Sequence, residues 1–315
     1  MRFFISSNIK HNRALYITVV LFLLSSLIFW LLSWIHYHLK FGLTYSRMFS
    51  YFFTDPRFPE KLPIGQLLED IHIHFFLQTL FLLVVASIFI HKCMRDRVKY
   101  FLIASSFLAA TLEVLFSLGV FYLSPLFIYL KILSFLLFQA FSGAMILLAL
   151  KLYLSGEKEE PPDRSLLYVI VFAFCTSAIL FTGLNFFLFL AKMGLSPSSI
   201  ATYYVGSSES FIRAKSLLGI LNVVNPHLVA MGVYLFGLVH FAFFTNIKRK
   251  VLLSVITLLS ALTDNLSPLL IRFLDPSFSY LKLISFLSLS LSMLLISLIV
   301  MVSILRHRAK AIVLL

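Results

Sequence analysis

The chain has 315 residues, of which 60% are hydrophobic and only 12% are charged, and 35 of them are phenylalanine. This composition excludes an ordinary soluble domain and is typical of a polytopic membrane protein, with the lipid bilayer as its main partner. The net charge of +13 does not indicate a nucleic-acid partner. The basic residues stand in clusters just outside the apolar segments, where residues that set membrane topology lie.

Apolar runs predict eight transmembrane helices. The first run is too long for a signal-peptide core and lacks a cleavage site, so we expect it to stay as a helix. The predicted spans lie near 15–35, 72–91, 98–122, 127–150, 165–191, 226–245, 251–271 and 280–304. Basic clusters precede the first span, follow the second and the sixth, and close the chain. They predict cytoplasmic N- and C-termini in a bacterial-type inner membrane.

The two halves of the sequence repeat each other. SPLFIYLKILSFLL (124–137) matches DPSFSYLKLISFLS (275–288), and His74 falls on His227 at nearly the same offset, 151 to 153 residues. Chance agreement between apolar segments does not extend to Pro, Lys and His. We therefore predict an all-α fold of two tandem four-helix repeats, which run in parallel because four spans is an even number.

The repeat also predicts how the chain is divided. The first repeat covers 1–154, with an outer loop at 36–70, and the second covers 165–315, with an outer loop at 192–224. The polar, proline-containing segment 155–164 is the predicted cytoplasmic linker. Both outer loops are too apolar for simple connectors, so we expect short amphipathic pieces that lie at the membrane interface.

The equivalence of His74 and His227 predicts a haem b site. These residues start parallel helices, and two neutral imidazoles from opposite sides are what a six-coordinate b-type haem requires. His240, thirteen residues after His227, suggests a second haem with His91 as its counterpart. The four positions resemble the cytochrome b type, in which two parallel helices each supply a histidine pair. The resemblance implies electron transfer between a membrane carrier and an outer-side partner, with membrane or periplasmic redox subunits as partners.

A zinc or copper site is the alternative for the same region. Two HxH motifs, one at the end of the first span and one at the start of the second, fall at the same membrane level. Their histidines are His36, His38, His72 and His74, and Glu69 or Asp70 adds a carboxylate. Histidines two apart on a helix point in nearly opposite directions, so this site requires a non-helical backbone. The plainest alternative is an amphipathic rim without a ligand.

Two carboxylates fall near the middle of predicted spans. Glu113 and its repeat equivalent Asp264 are costly at that depth unless each is neutral, hydrated or paired. Lys131 and Lys282, early in the following helices, are the expected partners. Two structural ion pairs are one interpretation, and an ion or proton path in a small transporter or an assembly factor is the other. No hydrolase or transferase motif is present, so the sequence leaves enzyme activity open.

Overall fold

The computed structural model describes residues 9–313 except 11, 54–59, 156, 162, 210 and 246, and gives only the backbone of 307–313. The described residues form ten α-helices: α1 Arg13–Lys40, α2 Tyr45–Phe52, α3 Ile64–Phe89, α4 Asp96–Tyr122, α5 Phe127–Leu154, α6 Arg164–Met193, α7 Pro197–Val205, α8 Leu217–Phe243, α9 Lys250–Phe273 and α10 Ser279–Val313. Eight of these are long and apolar enough to cross a membrane. The all-α fold class with eight spans is confirmed.

The helices extend beyond the apolar runs. Lipid requires the backbone polar groups to be hydrogen-bonded within the helix, and this helical bonding continues where the side chains become polar. α1 reaches Lys40 and α3 already begins at Ile64, so both extend into the segment 36–70, which was assigned to an outer loop. α8 likewise begins at Leu217, inside the segment 192–224. The short helices α2 and α7 are the amphipathic pieces expected in these loops.

The chain packs as two compact units that divide between Ser177 and Ala178, within α6. In the first unit α4 packs along α5, while α1 and α3 pack against this pair and α2 contacts α5. In the second unit α9 packs along α10, and α7 and α8 pack against them. The division lies later than the predicted linker. Within the first unit, the Tyr100 hydroxyl of α4 hydrogen-bonds to Ser165 at the start of α6.

Equivalent glycines end α1 and α6. Gly42 and Gly194 both have positive φ angles, 76° and 71°, which side-chain-bearing residues rarely adopt. A Cβ at Gly42 would lie 2.5 Å from the Cβ of Arg47, and one at Gly194 would lie 2.8 Å from Ser199 Oγ. The glycines therefore allow the chain to turn sharply from a span into α2 or α7.

The repeat is also visible in aromatic packing. Tyr37 stacks on Phe135 with ring centroids 3.5 Å apart and planes at 10°. Phe189 stacks on Phe286 at 3.8 Å and 10°, and each of these residues is the repeat equivalent of one in the first pair. Each unit thus joins its first span to its last by the same stacked pair.

Two names are used below for the first unit. The α2 end is the end at which α1 finishes and α3 begins. The linker end is the opposite one, where residues 157–160 pack.

Candidate functional site

Both predicted ion pairs form. Lys131 Nζ lies 3.4 Å from Glu113 Oε1, and Lys282 Nζ lies 2.8 Å from Asp264 Oδ1. The four residues are buried, so each charge gives up hydration and needs its partner in place. Each lysine also lies over an equivalent ring, Lys131 over Tyr37 at 5.6 Å and Lys282 over Phe189 at 6.0 Å.

Besides their carboxylate partners, Lys131 and Lys282 make different second contacts. Lys131 donates to the hydroxyl of Ser117 at 2.8 Å. Pro268 occupies the equivalent position of α9 and has no N–H, so the carbonyl of Asp264, four residues earlier, loses its helical donor. Lys282 donates to that carbonyl at 2.9 Å. In both units the ammonium therefore has a carboxylate and a neutral oxygen as partners.

A small cleft of about 10 Å³ lies beside the first pair, close to the volume that one water molecule needs. Six polar residues line it: Asp70, His74, Gln78, Glu113, Ser117 and Lys131. We call these six residues the polar cluster. The amide of Gln78 donates to Glu113 Oε2 at 2.9 Å, so both oxygens of the buried carboxylate are engaged.

The polar cluster extends about 20 Å into the first unit from the α2 end. At 1.5 Å per residue, Asp70 lies about 9 Å along α3, His74 about 15 Å and Gln78 about 21 Å. Glu113 lies about 14 Å from the end of α4 that faces the same way. The three α3 residues follow one another at intervals of four and therefore share one face of the helix.

The second repeat retains equivalents of three of the six residues of the polar cluster. The equivalents of Glu113 and Lys131 are Asp264 and Lys282, and His227 is the equivalent of His74. Asp70, Gln78 and Ser117, however, are replaced by Val223, Met231 and Pro268. The ion pair and one histidine are common to the two units, whereas Asp70, Gln78 and Ser117 belong to the first.

At the α2 end, Asp70 joins three elements. Its Oδ1 lies 2.5 Å from Lys40 Nζ of α1, and its Oδ2 accepts a hydrogen bond from the Tyr51 hydroxyl of α2. Burial, followed by the hydrogen bond to Asp70 and its charge, raises the pKa of Tyr51 well above its ordinary value. The Tyr51 hydroxyl therefore keeps its proton and donates a hydrogen bond to Asp70.

The predicted HxH histidines do not converge. His36 stacks on His74 with ring centroids 5.0 Å apart and planes at 24°, so the rings meet face to face. His72 is buried on another side of α3, and His38 is exposed. Within the described part of the chain, no three His, Cys, Asp or Glu side chains lie close enough to share a metal ion. Zinc or copper binding stays a prediction without a grouped set of ligands.

The haem candidates His74 and His227 have the same local geometry. Nδ1 of His74 lies 3.2 Å from the carbonyl of Asp70, and Nδ1 of His227 lies 2.8 Å from that of Val223. A carbonyl only accepts hydrogen bonds, so Nδ1 carries the proton and Nε2 keeps its lone pair when the ring is neutral.

His240 and His91, the second predicted haem pair, differ from each other in local geometry. His240 lies within α8, with its ring 5.0 Å from that of Phe244. His91 lies in the turn beyond α3, is buried, and has no hydrogen-bond partner at Nδ1. Burial and the charge of Lys99 lower the pKa of His91 to about 4, so its ring is neutral at physiological pH.

Residues 157–160 of the predicted linker contact the turn after α3 and the first turn of α4. Glu157 pairs with Lys92, and Glu160 pairs with the buried Lys99 at 3.0 Å. The main-chain N–H of Glu160 donates to the carbonyl of His91 at 2.9 Å. Glu157 and Glu160 thus neutralise two of the basic residues from which the cytoplasmic side was predicted.

The contributions of Gln78, Ser117 and Tyr51 were not predicted. For Gln78 and Ser117 a signal exists in the sequence, because they stand four residues after His74 and Glu113 and share their helix faces. The contact between Tyr51 and Asp70 joins residues nineteen apart in different elements, and helical spacing does not reveal it.

Together these features define a multi-pass α-helical membrane protein with an internal repeat and, in its first unit, a largely buried polar cluster. The chain belongs to the Aq_1264_TM family, described as a transmembrane helical domain, which matches residues 42–161 and 194–311. The two matches begin at the equivalent glycines and confirm the internal repeat. No curated protein and no solved structure matches the chain.

Proposed function

We propose that this protein is a small proton-coupled transporter and that the polar cluster of the first unit is its proton-binding site. The observation that supports this proposal is the difference between the repeats. A structural ion pair needs only Glu113 and Lys131, as the second unit illustrates with Asp264 and Lys282. Around its pair the first unit adds Asp70, Gln78 and Ser117, which line a cleft, and polar residues at bilayer depth are costly unless they serve a function.

The orientation of the site follows from the charge distribution. Lys92 and Lys99 stand at the linker end, and basic residues favour the cytoplasmic side of a bacterial-type inner membrane. The linker end and both termini are therefore proposed to be cytoplasmic. The α2 end, with Asp70 at the mouth of the cleft, then faces outside.

The residues form an ordered series of proton carriers. Asp70 stands nearest the mouth, and His74 lies one turn deeper with Nε2 as the proton acceptor of the neutral ring. His74 and Glu113 line the same cleft, which has room for about one water molecule. A proton that enters from outside passes in this proposal from His74 through that water to Glu113.

Protonation of Glu113 has a structural consequence. Lys131 then loses its nearest counter-ion and retains the Ser117 hydroxyl and the faces of Phe41 and Tyr37, 4.8 and 5.6 Å away. An ammonium in that position is costly at bilayer depth. Proton binding therefore favours a rearrangement around Lys131, and a transporter requires such coupling between a bound proton and a conformation.

Infrared difference spectroscopy tests the proton-binding step without a known substrate. The purified protein in lipid is titrated with acid, and the carbonyl stretch of newly protonated carboxyl groups is recorded. We expect a buried carboxyl band that Glu113→Gln removes and that the matched variant Asp264→Asn leaves in place. A spectrum unchanged by Glu113→Gln, or changed equally by both variants, would contradict the proposal.

Haem b binding is the second candidate, and the shared geometry of His74 and His227 favours it. Metal-ligating histidines usually donate their other ring nitrogen to a carbonyl or carboxylate, as both residues do here. In this proposal they would hold a haem that passes electrons between a membrane carrier and an outer-side partner. His240 and His91 would hold the second one.

The visible spectrum of the oxidised and then reduced protein, expressed with ample haem, tests this candidate. His74→Ala and His227→Ala should each abolish a low-spin reduced spectrum, whereas His36→Ala and His72→Ala should leave it nearly intact. Bound zinc or copper without a haem band, lost when His36, His38 or His72 is replaced, would favour the metal site. A colourless and metal-free protein would refute both.

A further inference from the structure

We infer that α2 is a lid over the mouth of the cleft and that Asp70 is the latch that holds it closed. This inference rests on the proposed function, because it concerns the regulation of the same site. The carboxylate of Asp70 joins the polar cluster to α2, because it uses one oxygen for Lys40 and the other for Tyr51.

The position of Tyr51 gives α2 this role. Its ring lies 4.7 Å from that of Phe41, with the planes at 83°, and Phe41 lines the cleft. Phe41 also covers the ammonium of Lys131. Tyr51 and Phe41 therefore form one continuous layer from α2 to the buried lysine, and a movement of Tyr51 would expose the polar cluster.

Comparison with the second repeat distinguishes the latch from the contacts that only attach α2, or its equivalent α7, to the chain that follows. In both units a main-chain N–H shortly after the short helix donates to its C-terminal turn, Leu62 to Phe52 and Lys215 to Tyr204, each at 2.9 Å. These bonds do not depend on charge. The carboxylate contact exists in the first unit alone, since the equivalent of Asp70 is Val223.

The charges around Asp70 determine what releases the latch. Lys40 faces it from α1, Tyr51 from α2 and His74 from its own helix, and Lys131 of α5 lies close enough for the two charges to interact. The two cations stabilise the carboxylate, and Tyr51 only donates. Replacing the carboxylate by the neutral amide in Asp70→Asn removes the attraction to Lys40 and weakens the bond from Tyr51, so this variant should open the lid.

Cysteine accessibility tests the latch independently of proton uptake. Val114 lines the cleft and is buried, so Val114→Cys, in a chain with Cys93→Ser and Cys175→Ala, reports opening. A water-soluble, membrane-impermeant methanethiosulfonate is added from the outer side, and the labelling rate is measured. We expect slow labelling with native Asp70 and labelling about tenfold faster with Asp70→Asn, a factor that corresponds to about 1.4 kcal/mol.

Further variants distinguish the latch from misfolding. Lys40→Met and Tyr51→Phe should each accelerate labelling less than Asp70→Asn, and the matched change Val223→Ala should have no effect. The exchanged pair Lys40→Asp with Asp70→Lys should restore slow labelling in part, because it re-forms the ion pair but leaves Tyr51 without the carboxylate that accepts its hydrogen bond.

Two results would overturn the inference: fast labelling with native Asp70, or equal labelling rates for native Asp70 and Asp70→Asn. The labelling experiment does not require Glu113 to bind a proton. If labelling follows the expected pattern while the infrared band is absent, the latch stands and the proton-coupled function fails. The reverse pattern removes the latch alone.

Discussion

The buried pair of Glu113 and Lys131 permits a quantitative prediction. At 3.4 Å and an effective dielectric constant of about 20, the attraction between the two charges amounts to about 5 kcal/mol. Desolvation of two buried ions offsets most of this gain, so the intact pair contributes little net stability. Removal of one partner leaves the other charge buried and unpaired, which costs about 3–5 kcal/mol.

A double-mutant cycle measures this asymmetry. Glu113→Gln and Lys131→Met should each lower the free energy of unfolding by about 3–5 kcal/mol, and the double variant should recover most of the loss. Unfolding in detergent micelles with increasing dodecyl sulfate can be followed by the fluorescence of the two tryptophans, both of which lie in α1. If the double variant loses as much as the two single variants together, the carboxylate is not partnered by that lysine.

The second repeat supplies the matched control for this cycle. When the carboxylate is neutralised, each ammonium retains a neutral oxygen, the main-chain oxygen of Asp264 at 2.9 Å for Lys282 and the Ser117 hydroxyl at 2.8 Å for Lys131. Asp264→Asn should therefore cost about as much as Glu113→Gln. A clearly unequal cost would show that the two neutral oxygens do not hold the ammonium equally well.

Two other predictions concern topology and pH. A reporter active only in the cytoplasm should be active when fused at Lys158 and silent when fused at Ser208, and activity at Ser208 would refute the parallel arrangement of the repeats. The pKa of His91 is lowered to about 4, so between about pH 6.5 and 4 the unfolded chain binds the additional proton. Stability should fall over this window by up to about 3 kcal/mol as the pH decreases, and unfolding of His91→Gln in detergent should show a flatter pH profile. An unchanged profile would mean that His91 is not the acid-sensitive group.

The sequence was sufficient for the eight spans and the repeat because both rest on one-dimensional signals. Long apolar runs must form helices in lipid, and Lys, Pro and acidic residues at a nearly constant offset mark a duplication. The sequence also predicted the ion pairs, since Glu113 and Lys131 stand on consecutive helices joined by a short turn. Their depths along the helices could be counted from the sequence.

The ends of the helices and the contents of the candidate site required the tertiary structure. Hydropathy ends where side chains become polar, but the backbone of α1 and α3 continues to hydrogen-bond, so polar residues of the supposed loop lie on helix faces. Whether His36 and His74 face each other depends on the rotation of α1 and α3 about their own axes. The spacing of residues in the sequence does not determine that rotation. The single carboxylate of Asp70 that ties α1, α2 and α3 together depends on the packing of all three, since contacts between distant elements leave no periodic trace in a sequence.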